Sequence, residues 1–169
     1  MINRLYLRTF LSSLVLLTLA SLGVAQDDTN PIVAQNTALS ISGVNIGINS
    51  LDYVVTPAGV DISVEYSNNT GRTAIALSLG FVLIDPFNDI IGITFGETRT
   101  SISPDALRSE TWSFDDIPGA ERTAYVVAYP YAVRLDNQAV RKASGNNVAS
   151  ILSDRLGIEV DVPTSSFVR

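Results

Sequence analysis

The chain has 169 residues, with 11 basic against 17 acidic side chains, a net charge of −6, no histidine and no cysteine. That length suits one domain able to bury most of its apolar surface, and the acidity leaves no basic field for nucleic acid or anionic lipid. The missing residue types exclude Ser-His-Asp and Cys-His catalysis, disulfides, a lipid-modified cysteine and ordinary zinc sites.

Arg4 and Arg8 precede an almost unbroken apolar run from Phe10 to Leu22, which closes on Gly23-Val24-Ala25 and meets polar Gln26-Asp27-Asp28 at once. A basic start, an apolar core too short for a comfortable span and small residues at Gly23 and Ala25 are the layout of a secretory signal peptide. Residues 1–25 are therefore expected to be removed, an uncleaved anchor being the alternative. Losing Arg4 and Arg8 from the total of 11 leaves nine basic side chains against 17 acidic, a net charge of −8, and no stable membrane span. An exported domain without disulfides points to a bacterial envelope, with a periplasmic or extracellular location. In that setting the sequon Asn68-Asn69-Thr70 is a chance occurrence.

Residues 26–36 are polar, interrupted by proline and without periodicity, and read as a flexible lead-in. The domain then occupies residues 37–169. Its apolar residues mostly alternate with polar or small ones, the period of strands with one buried face. Val60, Ile62, Val64 and Tyr66 share a face opposite Asp61, Ser63 and Glu65; Ile75, Leu77, Leu79, Phe81 and Leu83 repeat the pattern opposite Ala76, Ser78 and Gly80. Asp85-Pro86-Phe87-Asn88-Asp89 reads as a hairpin turn, since proline cannot continue a ladder and Asn88-Asp89 tolerates left-handed angles. Trp112 and Phe114 lie two apart on the next strand, and a bend is expected at Pro130 in the strand after it. Strands over residues 38–48, 60–67, 73–84, 90–96, 109–115, 123–135 and 138–143 have the number and spacing of an all-β, immunoglobulin-like antiparallel sandwich. One short helix is predicted near the C-terminus, capped by Asn147, with Val148, Ile151, Leu152 and Leu156 at helical spacing and Gly157 ending it. Residues 158–162 read as a terminal strand.

Phe81-Val82-Leu83-Ile84-Asp85, within the stretch from Val60 to Phe114, resembles the motif of FxLYD-type and related immunoglobulin-like domains of secreted bacterial proteins. Phe81, Leu83 and Asp85 match; Ile84 stands in the place of the tyrosine, and Arg108-Ser109 where that family has Pro-Gly. The likeness covers about half of the chain that follows residue 25. It implies an accessory or binding role and no particular ligand.

Few routes to chemistry remain. Lys142 is the one lysine and no Ser-x-x-Lys pattern accompanies it, so it reads as solvated. Asp115-Asp116 is an obvious carboxylate pair, but neighbours on an extended chain point to opposite faces. Asp85, Asn88 and Asp89 could gather three oxygen donors around calcium from one turn, without the spacing of an EF-hand; the competing reading has Asp85 and Asn88 bonding the local backbone. Tyr125, Tyr129 and Tyr131 could line one face of their strand as a platform for sugars or peptides, or pack under the helix. No cofactor fingerprint is present. The expectation is a non-catalytic exported module that binds a protein or envelope component. One alternative is a protease inhibitor that inserts Arg99 or Arg108 from the stretch Phe95 to Leu107, and a more distant one is a carboxylate-based hydrolase. Assembly by strand addition, a variant of the first reading, would need an unprotected sheet edge.

Overall fold

The alternation of apolar and polar side chains resolves into two sheets in the computed structural model, which describes residues 36–157 and 160–162. The small sheet joins β2 (Ile46–Val55), β3 (Gly59–Asn68) and β6 (Leu107–Asp115) in the order β2-β3-β6. The large sheet joins β1 (Thr37–Ala38), β4 (Ala74–Ile84), β5 (Ile90–Thr98), β7 (Tyr125–Leu135) and β8 (Val140–Lys142), in the order β1-β7-β4-β5 with β8 also on β7. The helix α1 (Gly145–Leu156) follows β8. The result is an all-β, immunoglobulin-like sandwich with one helix near its C-terminus, its ladders antiparallel except that β1 runs parallel to β7.

Strand period decides which residues face the other sheet. On β3, Val60, Ile62, Val64 and Tyr66 are all buried; across the ladder Ile62 pairs with Trp112 and Val60 with Phe114. On β4, Phe81 reaches this layer, with its ring centroid 5.7 Å from those of both Trp112 and Phe114. Gly96 on β5 makes room for the indole, since a Cβ there would lie 2.5 Å from Trp112 Cδ2. The expectation of one buried face is exceeded on β4, where Ser78, Val82 and Ile84 on the opposite face are also fully buried. A central strand with apolar layers on both sides loses its polar alternation.

The predicted strand over 38–48 is in fact two elements in different sheets. β1 ends at Ala38, and the chain turns through Gly43 at φ 88° and Asn45 at φ 57° before entering β2. β2 also runs on to Val55, because the register shifts between Ile48 and Ser50. The extra residue moves the apolar set from Ile46 and Ile48 to Leu51 and Tyr53, and this change of phase hides the strand from a period-two reading. Pro130 falls between the β7 residues paired with β1 (Val127, Ala128) and those paired with β8 (Ala132 to Arg134), where a missing N–H costs least. The expected irregularity is there, as a register shift between Ser78 and Leu79, which face Ala132 and Pro130.

The helix starts at Gly145, with Ser144 rather than Asn147 in the capping position, and Ser144 makes no side-chain capping bond. Ala143 N–H donates to Tyr131 O, which carries the β8 direction up to the first turn, so the helix begins directly after it. Val148 and Leu152 are fully buried in the core, Ile151 is half-buried, and Gly157 ends the helix at φ 66° as expected. Residues 160–162 carry no ladder, so the terminal strand does not form there; Ile158 and Glu159 lie outside the described residues. The signal segment and residues 26–35 of the lead-in also lie outside them.

Candidate functional site

The turn after β4 is built by one carboxylate. Asp85 is 2% exposed, and its Oδ1 accepts the N–H groups of Phe87 at 2.8 Å and Asp89 at 3.0 Å. Its backbone N–H and C=O bond to Asp89 O and Asn88 N, and its Oδ2 faces the Arg122 guanidinium at 3.7 Å. Asn88 contributes its backbone at φ 65°, while its buried Oδ1 bonds no backbone group, contrary to the expected local role. Asp89 is exposed. Of the calcium candidates Asp85, Asn88 and Asp89, Asp85 serves the turn itself: one of its oxygens accepts two backbone N–H groups and the other faces Arg122. Among the described residues no group of three acidic side chains is gathered as a metal site.

Of the three tyrosines weighed as a platform, Tyr129 and Tyr131 are packed inside the fold. Tyr129 is 0% and Tyr131 1% exposed, while Tyr125 is half-buried. Tyr129 lies flat over Gly80, where an added Cβ would sit 2.2 Å from its Cζ, and burial pushes its phenol well above the usual 10.0. Tyr131 packs against Phe95 at 4.9 Å between centroids, and Lys142 Nζ stands 5.0 Å over the Tyr131 ring. The one lysine is thus held by a cation–π contact. Asp115 ends β6 opposite Gly59, and Asp116 turns the chain at φ 59° with its N–H on Ala58 O. Both carboxylates are exposed. Asp116 and Glu121 line a depression of about 290 Å³ with Thr56 and Pro118.

The stretch from Arg99 to Ala106 is pinned at its middle. Ile102 is 1% exposed and exchanges backbone bonds with Ala74 at 2.8 and 2.9 Å, and Asn68 Nδ2 donates to its carbonyl at 2.8 Å. Arg108 Nη2 donates to Ser101 O at 3.4 Å. Arg99, Thr100 and Ser101 are exposed.

The surface that sequence reasoning passed over is the outer face of the small sheet. Register aligns Asp52, Ser63 and Thr111 in one row and Ser50, Glu65 and Ser109 in the next, around a depression of about 390 Å³. Ser63 Oγ and Thr111 Oγ1 share a hydrogen bond of 2.8 Å. The signal was present in Asp61, Ser63 and Glu65, which alternation identifies only as solvent-facing. Small-molecule pockets are mostly apolar with a few polar groups, whereas this lining is hydroxyl and carboxylate; it matches a polar contact surface better than a ligand cavity.

No family model matches the chain, and no curated protein is similar to it. A hypothetical protein of Peptoclostridium difficile 630, solved by crystallography, is similar over 70% of this chain and 94% of its own, with 11% identity and a TM-score of 0.47. Likeness at that level carries no assignment.

Proposed function

We propose that the chain is an exported, non-catalytic binding or accessory module of the bacterial envelope or extracellular space, with a protein or envelope component as its partner. The observation that carries this reading is how the reactive side chains are employed. Asp85 is spent on a turn and Lys142 on an aromatic ring, while the outer face of the small sheet presents hydroxyls and carboxylates to solvent. The resemblance to FxLYD-type domains supports the same role, with Phe81 and Leu83 in the core and Asp85 in the turn. Export rests on the basic start, short apolar run and small residues of positions 1–25, with cleavage between Ala25 and Gln26.

Three measurements test this. Intact mass of the exported protein should match a chain starting at Gln26; a species retaining residues 1–25 would show a tethered domain instead. A photoreactive residue at Thr111 should trap a defined partner in the envelope, whereas one at Phe87, which is 84% exposed on the turn, should not. Turnover of glycoside, ester or peptide substrates that disappears in Asp116→Asn or Glu121→Gln would overturn the non-catalytic reading.

A protease inhibitor is the second reading, favoured by the fastening of Ile102 beneath exposed Arg99-Thr100-Ser101. Inhibition of a trypsin-like protease that is lost in Arg99→Ala would establish it; equal absence of inhibition in both proteins would remove it.

A further inference from the structure

The outer face of the small sheet has an order that its composition hides. Its solvent-side residues fall in rows across β2, β3 and β6, and three successive rows carry one carboxylate each: Asp61, then Asp52 paired with Ser63, then Glu65. The other side chains of these rows are hydroxyls, except Val54 at one corner, which is 62% exposed. Leu107, 61% exposed, marks the far corner one row further on. Arg108 is the one cation on these three strands; it pairs with buried Tyr66 on the opposite face and donates to Ser101 O. No positive charge therefore offsets the three carboxylates on their own face.

Spacing and size define what fits. Rows two residues apart along a strand are separated by about 7 Å, which is also the distance between alternate side chains of any other extended chain. Strands about 4.8 Å apart and rows about 7 Å apart make a patch of about 20 by 10 Å between backbone positions. That is far short of the about 800 Å² that a folded partner covers on each side, so the patch suits a single segment. Residues 26–35 contain no lysine or arginine and residues 163–169 contain only Arg169, so neither stretch of this chain offers alternate cations.

We propose that the outer face of the small sheet docks an extended segment of a partner protein that bears arginine or lysine at alternate positions, laid along the strands with its cations over Asp61, Asp52 and Glu65. The hydroxyls between them, Ser63 and Thr111 among others, hydrogen-bond the guanidinium and backbone groups of the segment. Val54 and Leu107 give it apolar contact at the two corners. The inference rests on the binding reading of this face and adds the chemistry of the partner.

The test uses a labelled eight-residue peptide that alternates arginine with serine, read by fluorescence anisotropy on the purified protein. It should bind, weaken as salt is raised, and be replaced by no binding when glutamate stands in for arginine. Asp52→Asn with Glu65→Gln removes two charges from the face and should weaken binding by about five- to tenfold. Asp105→Asn with Asp154→Asn removes two exposed charges from elsewhere and should leave it unchanged. Equal losses in the two double variants would reduce the effect to net charge and overturn the proposal. If the arginine peptide does not bind while the photoreactive residue at Thr111 still traps an envelope partner, the cationic segment is refuted and the binding module stands; if both fail, the two readings fall together. A Thr111 probe that joins residues of its own chain shows the face covered from within, which also refutes the docking.

Discussion

Asn68 shows how much a single side chain organises. Its Nδ2 donates to Arg72 O and Ile102 O, both at 2.8 Å, and its Oδ1 accepts from Thr70 N at 3.1 Å and Thr70 Oγ1 at 2.7 Å. The first amide of the sequon is therefore fully engaged once the chain has folded. Asn68→Asp would set a carboxylate against two buried carbonyls, a loss of about 3 kcal/mol or more in a urea titration. Thr70→Ala removes the hydroxyl alone and should cost about 1 kcal/mol. Two tyrosines give a pH signature. Burial, with Glu110's charge beside Tyr66 and Tyr131 beside Tyr129, raises both phenols above the ordinary 10.0. The unfolded chain then ionises first, so stability that is complete below about pH 10 falls as pH rises above it. Tyrosinate absorbance from these two residues should appear together with loss of the sheet's circular dichroism; ionisation in the intact fold would contradict the burial. None of this pairing is legible in composition, since Asn68 and Tyr129 owe their states to partners 34 and 49 positions away, at Ile102 and Gly80.

Elements divide by how local their causes are. The Asp85 to Asp89 hairpin and the αL end of α1 at Gly157 follow from proline, asparagine and glycine chemistry within a few residues, and both formed where expected. The start of α1 did not, because the chain enters it from a bond between Ala143 and Tyr131 rather than from a capping side chain. The contrast is measurable. Leu152→Ala empties a fully buried site and should cost about 2–5 kcal/mol, whereas Ser144→Ala removes no bond and should stay within about 0.5 kcal/mol. Equal effects would mean that the cap, not the packed face, holds the helix. β2 was half missed for a related reason, since its bulge at Asn49 inverts the phase of the apolar residues and only pairing with β3 reveals both halves as one strand.

The whole molecule depends on contact between its two sheets, concentrated where Phe81 meets Trp112 and Phe114. Phe81→Ala removes that bridge from a 0% exposed site and should cost about 3–5 kcal/mol, read as a shifted denaturant midpoint. That is a large share of the about 5–15 kcal/mol that stabilises a typical domain. A loss below about 0.5 kcal/mol would place Phe81 on the surface instead. The sequence by itself determined the class of the molecule: strand period, turn residues and a lone amphipathic stretch are local signals, and they specify a β-sandwich with a terminal helix. Its missing histidine and cysteine also narrowed the chemistry before any fold was known. Only the tertiary structure decided which sheet each strand joined, that β4 is covered on both faces, and that Tyr129 and Tyr131 are buried while Ser63 and Thr111 face solvent. Those are outcomes of pairing between distant segments, and a period of two reports that a residue has a buried side without reporting what buries it.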